Sequence, residues 1–124
     1  AAADLALALR QLTPPSPLGV FHDLDRLTIF ADNLVPHVLR IDGILEYAPA
    51  LLARITAEEL IEPGSPEEVE IRACAVHAVE LLVAELRRQG HCVTAHQLDY
   101  LLWNRGQEPR YKAQPRHRAR TVYY

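Results

Sequence analysis

The chain has 124 residues and 49% apolar residues, which suffices for one small domain with a single core and excludes disorder as a global description. No stretch approaches the roughly 18 consecutive apolar residues of a membrane span, and the alanine-rich start has neither a basic flank nor a cleavage-type segment. We therefore expect a soluble protein in the cytoplasm, with no membrane partner.

The net charge of the last 20 residues is opposite in sign to that of the rest of the chain. Residues 1–104 carry seven basic and fifteen acidic side chains, a net charge of −8, whereas residues 105–124 carry six basic and one acidic, a net charge of +5. The basic end is a candidate anion site for a phosphate or a nucleic acid. Alternatively, its cations pair with the acidic body of the same protein or lie in solvent.

The first part of the chain is predicted to be helical. Residues 2–12 are strong helix formers, and the prolines of TPPSP at 13–17 end this helix because proline lacks the backbone donor. A second helix is predicted over 25–34, where apolar residues recur at helical spacing. Pro36 requires a kink or a stop before a short continuation through Leu39.

A turn and two short helices are predicted next. Gly43 marks the turn, and Pro49 suits the first turn of a helix over 49–55. The segment TAEELI at 56–61 predicts a further short helix.

The clearest helix signal lies between Ser65 and Gly90. Ser65 is the predicted N-cap, Pro66 the first helical residue, Glu68 completes a capping box, and Gly90 ends the helix. Because its apolar residues surround more than one face, we expect this helix to form the axis of the core. Cys74 within it, like Cys92 beyond it, has no CxxC partner and is interpreted as a small buried hydrophobic residue.

A second capped helix follows directly. Thr94 is its predicted N-cap, Gln97 occupies the capping-box position, and Gly106 follows its end. Three leucines are predicted to face inward: Leu98, Leu101 and Leu102. No segment alternates apolar and polar residues at length, although TVYY at 121–124 can form a short strand. The predicted fold class is all-α.

The segment 21–36 combines acidic residues and a histidine with an apolar sequence. His22, Asp23, Asp25 and Asp32 fall within eleven residues. In one continuous helix Asp25 and Asp32 would project from nearly the same side, about 10 Å apart along the axis. The apolar neighbours of Asp32 mean that its carboxylate needs a substrate, a cation or hydrogen bonds. The alternative is that Asp23 or Asp25 caps the helix and Asp32 faces water.

Two further groups are candidates for ligand binding. Asp99 and the single tryptophan, Trp103, share one helical face, where an indole can stack on a flat heterocycle whose N–H groups the carboxylate accepts. The alternative is a core tryptophan beside a surface acid. Near the carboxyl end, Arg118, its neighbouring arginines and His117 can close over a phosphate through charge-assisted hydrogen bonds.

A metal site is a further possibility for the segment that contains His22 and Asp23. His22 and Asp23 form an HD pair, and helical phosphohydrolases of the HD type bind metal through such a pair with further His and Asp ligands. No histidine precedes residue 22, so the sequence does not supply the upstream ligand that such a site needs.

Four motifs taken in order resemble the queuosine salvage protein family: FHDLDRLTIFADNLVP at 21–36, GSPEEVEIRA at 64–73, QLDYLLWNRGQ at 97–107 and HRARTVYY at 117–124. The resemblance implies a helical fold related to helix-hairpin-helix DNA glycosylases. It also implies hydrolysis of queuosine 5′-monophosphate to queuine and ribose 5-phosphate, without a metal or organic cofactor. Family members are much longer, so residues 1–124 are expected to be the carboxyl-terminal portion of this domain, with the missing amino-terminal portion as their partner.

The resemblance also implies residue roles. The aspartate of the family's FAD segment falls on Asp32, which becomes the catalytic carboxylate; it stabilises a ribosyl cation-like state and orients or deprotonates the attacking water. Asp99 and Trp103 become base-pocket residues, and Arg118 a further substrate-binding residue. Three secondary substrate-binding candidates remain: His22, Asp23 and Asp25. No direct contact with nucleic acid is expected.

Two alternatives differ from this reaction. In the first, the chain is a non-catalytic helical module that holds the base or a modified tRNA through Trp103 and the basic end. In the second, it is an HD-type metal phosphohydrolase.

Overall fold

A computed structural model describes residues 22–121, together with residues 5, 8, 9 and 20. The predicted helix over 2–12 and its TPPSP connector lie outside the described residues, except that residues 5, 8 and 9 are helical. The last three residues of TVYY also lie outside them. The predicted strand at that end is therefore not described.

The residues from 22 to 121 form five α-helices, one 3₁₀ turn and one pair of short strands. In chain order these are the 3₁₀ turn Leu24–Arg26, α1 Val35–Ile41, α2 Pro49–Thr56, β1 Leu60–Ile61, α3 Pro66–Arg88, α4 Ala95–Arg105, α5 Pro109–Lys112 and β2 Arg118–Ala119. The two strands pair in parallel, with Leu60 opposite Arg118 and Ile61 opposite Ala119. The described chain is therefore mostly helical, as predicted.

Helix α1 is the most deeply buried element. Its residues from Val35 to Leu39 are all buried, and it packs against α3, α4 and α5. By contrast, α3 buries a single stripe along its length and leaves Val69 and Leu81 exposed. The prediction that α3 is the axis of the core is therefore wrong. An apolar pattern that covers several faces of one helix does not show which of those faces the rest of the chain covers.

The continuous helix predicted over 25–34 is not formed. After the 3₁₀ turn the backbone has no regular secondary structure through Asp32, Ile29 is buried in the core, and Thr28 donates a hydrogen bond to Glu80 on α3 over 2.8 Å. The helix starts at Val35 instead, with Pro36 in its first turn, where the missing proline N–H is harmless. Burial of Ile29 and the bond from Thr28 to Glu80 outweigh the helical spacing of the apolar residues.

The short helix predicted over 56–61 is also wrong. Helix α2 ends at Thr56, Glu58 has a positive φ of 57°, and the chain continues as strand β1. Ile61 is buried against Ile55 and Ile71, so packing and pairing with β2 favour the extended backbone. The turn at Gly43 and the helix beginning at Pro49 are confirmed.

The predicted caps of α3 are confirmed with one change. The Ser65 hydroxyl accepts the Glu68 N–H over 3.3 Å, and Gly90 ends the helix with a φ of 89°. The Glu68 carboxylate accepts the N–H of Gly64 over 3.1 Å, one residue before the N-cap that a capping box would use.

The capping box of α4 is confirmed in both directions. Thr94 accepts the Gln97 N–H, and the Gln97 side chain accepts the Thr94 N–H over 3.0 Å. Leu98 and Leu102 pack against the core as predicted, but Leu101 is exposed. The cysteine interpretation is wrong as well, because both thiols are free and exposed.

Candidate active site

Asp32 ends the irregular segment that leads into α1. Its Oδ1 accepts the backbone N–H of Leu34 over 2.7 Å and that of Val35 over 3.0 Å. These two bonds supply acceptors for N–H groups at the start of a helix. Both contacts use Oδ1, and Oδ2 has no hydrogen-bond partner among the residues that the structure describes. The carboxylate is therefore held by one oxygen and has the other available.

Asp32 lines a cavity of about 520 Å³ between the start of α1, the end of α4 and the segment around α5. This volume lies in the range of roughly 300–1,000 Å³ that is usual for small-molecule sites. The wall combines a carboxylate, an indole and cations, and consists of Asp32, Asn33, Leu34, His37, Trp103, Gly106, Gln107, Tyr111, Lys112, Gln114 and Arg116. Trp103 has 46% of its surface exposed, which leaves part of its ring accessible for stacking.

The basic end of the chain divides into paired and unpaired cations. Arg105 and Arg110 both form ion pairs with Asp42 at the end of α1. Lys112 and Arg116 line the cavity, and neither has an ion-pair partner within the described part of the chain. The pairing alternative is therefore confirmed for Arg105 and Arg110, whereas an anion site at Lys112 and Arg116 stays a prediction.

Two side chains of α1 hold the segment that carries these cations. His37, which is 1% exposed, donates from Nε2 to the carbonyl of Tyr111 over 2.8 Å. Arg40 donates to the carbonyl of Pro115 over 2.9 Å and to Nδ1 of His37 over 3.2 Å. A proton on Nε2 and a lone pair on Nδ1 correspond to a neutral imidazole. Burial is also the main cause that lowers the pKa of His37.

His117 is buried and does not line the cavity. It is 1% exposed, and neither ring nitrogen has a hydrogen-bond partner among the described residues. Burial lowers its pKa to about 4, opposed in part by the charge of Glu68 and reinforced by His37 and Arg116. At neutral pH this imidazole is uncharged, so it does not add a positive charge for a phosphate.

Arg118 lies in a second cavity of about 570 Å³ that adjoins the first. The two cavities share four lining residues: Asn33, Lys112, Gln114 and Arg116. Arg118 is placed there by the strand pairing and is 3.9 Å from the Glu58 carboxylate. Lys112 and Arg116 therefore lie at the boundary between the Asp32 cavity and the Arg118 cavity.

The remaining predicted site residues lie elsewhere. Asp99 is buried, 9% exposed, and does not line the cavity that contains Trp103. His22, Asp23 and Asp25 are exposed around the 3₁₀ turn and line neither cavity. Their substrate-binding roles stay predictions.

The metal hypothesis gains no support from the described residues. No three His, Cys, Asp or Glu side chains among them lie in an arrangement that could hold an ion. Within the same residues, no helix is both long enough and apolar enough to cross a bilayer.

Sequence reasoning did not single out His37, Gln107 or Tyr111 as site residues. Their only signal is position. His37 follows the proline at the start of α1, Gln107 follows the glycine after α4, and Tyr111 lies two residues after the proline that begins α5. Which turns meet around a cavity depends on helix packing, which a linear pattern does not contain.

A family model and several individual relatives show what this chain is similar to. The family model for the queuosine salvage protein matches residues 1–124. A protein of Sphaerobacter thermophilus named queuosine 5′-phosphate N-glycosylase/hydrolase is 51% identical over 109 residues, which cover 88% of this chain and 34% of that protein. Proteins of the same name from Dictyostelium discoideum and Mus musculus are 41% and 36% identical, cover 86% of this chain, and are themselves covered to 33% and 34%. The chain spans about a third of the length of these relatives.

Proposed function

We propose that the protein containing this chain hydrolyses the N-glycosidic bond of queuosine 5′-monophosphate. The premise is that this chain belongs to the queuosine salvage protein family. The products are queuine and ribose 5-phosphate. The relatives' shared name, queuosine 5′-phosphate N-glycosylase/hydrolase, supports this substrate and this reaction.

One observation carries the proposal: Asp32, Trp103 and Arg116 line the same cavity. A nucleotide consists of a base, a sugar and a phosphate, and this cavity offers a group suited to each. The indole can stack on the base, the carboxylate can act at the sugar, and the guanidinium can bind the phosphate.

The chemistry assigned to Asp32 follows from the charge that develops on the sugar. As the bond from C1′ to the base nitrogen breaks, the ribose acquires positive charge, which a nearby carboxylate stabilises. A water oxygen then bonds to C1′, one water proton is lost to Asp32 or to solvent, and the leaving nitrogen gains a proton. Because Oδ1 holds two backbone N–H groups, we assign the reacting position to Oδ2.

The two adjoining cavities support an arrangement for the rest of the nucleotide. Lys112 and Arg116 are shared by both cavities, which makes their boundary a suitable position for the 5′-phosphate. Arg118, predicted from the sequence as a substrate-binding residue, lines only the second cavity and is assigned a supporting electrostatic role. Asp99 is buried on the same helix as Trp103. We propose that it acts on the base pocket indirectly, from the protein interior.

Further parts of the proposal concern the longer protein. We propose that this chain is the carboxyl-terminal third of one helical domain and that the remaining portion completes the site. The coverage of the relatives supports this arrangement. The relation to helix-hairpin-helix DNA glycosylases and the cytoplasmic location belong to the same proposal; the mostly helical fold supports the former.

The direct test uses the full-length protein with queuosine 5′-monophosphate as the substrate. We expect mass spectrometry to detect free queuine and ribose 5-phosphate in equal amounts. Binding of the nucleotide without base release would instead favour the non-catalytic module. Loss of base release on chelation, with recovery on adding a divalent metal, would favour the metal phosphohydrolase.

A further inference from the structure

Gly106, the residue that follows α4, lies directly against the side chain of Leu34. A Cβ atom added at Gly106 would lie 2.8 Å from Cγ and Cδ1 of Leu34 and 3.0 Å from its Cδ2. Separations this short require one of the two groups to move. There is therefore no room for a methyl group at position 106.

The backbone conformation does not explain this glycine. Gly106 has φ −62° and ψ −13°, which lie in the right-handed helical region that any L-residue adopts. Gly90, at the end of α3, differs in both respects, because its φ is 89° and nothing lies within 4 Å of the position of an added Cβ. Close approach to Leu34 is thus the physical reason for glycine at 106.

The side chain of Leu34 has little room to move, and its backbone is hydrogen-bonded to Asp32. Its side chain is 5% exposed and packs in a buried cluster with Val38 and Tyr111. Its backbone N–H, at 2.7 Å, is the shorter of the two hydrogen bonds that hold Oδ1 of Asp32. A displacement of Leu34 in this close-packed region would therefore move the anchor of the carboxylate.

We infer that Gly106 is a positioning residue: its lack of a side chain lets Leu34 pack under the end of α4, and Leu34 in turn fixes the orientation of Asp32. This inference rests on the proposed catalytic role of Asp32. Gly106 acts through Leu34, and its contribution is to the geometry of the reacting carboxylate rather than to the affinity for the base or the phosphate.

The test begins with Gly106→Ala in the full-length protein, with queuosine 5′-monophosphate as the substrate. Because misplacement of a reacting group by about 1 Å can lower a rate on the order of a hundredfold, we expect kcat to fall by about 10- to 100-fold. We expect KM to change by less than about threefold, since Trp103, Lys112 and Arg116 keep their positions. An unchanged kcat would overturn the inference.

A rescue experiment separates positioning from general damage. In the Leu34→Ala background the space that the methyl group needs is open, so adding Gly106→Ala should leave kcat within about twofold of Leu34→Ala alone. It should also raise Tm, because alanine adopts the backbone angles of Gly106 without strain and lowers the entropy of the unfolded chain. An equal loss of kcat in both backgrounds would contradict the inference. Gly90→Ala is the matched control: its positive φ should lower Tm with kcat unchanged.

A measurement that needs no substrate distinguishes failure of this inference from failure of the proposed function. Hydrogen exchange of the backbone amides of residues 34 and 35 should be faster in Gly106→Ala than in the wild type. In the double variant these amides should exchange at the same rate as in Leu34→Ala alone. Equal exchange in Gly106→Ala and the wild type would refute the positioning contact itself. Faster exchange in a protein that releases no queuine would retain the contact and reject only the reaction.

Discussion

The phenolic hydroxyl of Tyr111 donates a hydrogen bond to Oδ1 of Asp42 over 2.8 Å, and this contact joins the end of α1 to α5. Tyr111 is 1% exposed, so its hydroxyl depends on protein partners. Arg105 adds an ion pair with Oδ2 of Asp42 over 3.0 Å, and the Arg110 guanidinium lies 4.5 Å from the centre of the Tyr111 ring. Tyr111 also lines the cavity, so this cluster supports one wall of the candidate active site.

Asp42→Ala should reduce the free energy of unfolding by about 1–3 kcal/mol, because a charge-assisted bond to a buried hydroxyl is lost. Tyr111→Phe removes the same bond, and the double variant should therefore be less destabilised than the sum of the single changes. Urea unfolding measures all three. Asp25→Ala, an exposed acid on the 3₁₀ turn, is the control and should stay within about 0.5 kcal/mol of the wild type.

Asp32→Asn should lower kcat by a factor that corresponds to about 2–4 kcal/mol of transition-state stabilisation, because the negative charge aimed at the ribose is removed. The asparagine oxygen can still accept the N–H groups of Leu34 and Val35, so Tm should change little. Steady-state release of queuine by the full-length protein provides the rate. Wild-type turnover by this variant would remove Asp32 from the mechanism, whereas Glu70→Gln, at an exposed acid that lines neither cavity, should have wild-type turnover.

Trp103→Ala should raise KM for queuosine 5′-monophosphate about 5- to 150-fold, because stacking of a base on an aromatic ring contributes about 1–3 kcal/mol. The matched control is Tyr100→Ala, which removes another exposed aromatic side chain from α4 without touching the cavity. Initial rates over a range of substrate concentrations give both constants. If the two variants share one KM, Trp103 does not hold the base.

His117 should make stability dependent on pH. Its pKa is about 4 in the folded protein and 6.5 as the ordinary value, so between these pH values the unfolded chain binds a proton that the folded chain does not. Stability therefore rises with pH across this range, and acidification from pH 6.5 to 4 should remove about 3 kcal/mol. His117→Gln should flatten the pH dependence of urea unfolding, even if it lowers stability overall. A slope equal to that of the wild type would contradict this expectation.

The sequence was sufficient where the structure depends on nearby residues. The caps at Ser65 and Thr94, the turn at Gly43 and the stop at Gly90 were predicted correctly. Each depends on hydrogen bonds or backbone angles within a few residues, so the local pattern contains the required information.

Predictions failed where distant contacts compete with local preference. The helical spacing over 25–34 was overridden because Ile29 packs in the core and Thr28 bonds Glu80 across 52 positions of sequence. The segment around Leu60 became a strand because β2, almost 60 residues later, pairs with it. The exposed Leu101 shows the same limit, since spacing along a helix does not reveal which side is covered.

The candidate site divides in the same way. The sequence by itself determined that the chain is mostly helical and belongs to its family, and it provided Asp32, Trp103 and a basic end as candidates. Only the tertiary structure decided that Lys112 and Arg116 join Asp32 at one cavity, and that Asp42 pairs with Arg105 and Arg110. The physical reason is that capping and helix formation act over one turn of chain, whereas a cavity and its charges arise from the packing of separate elements.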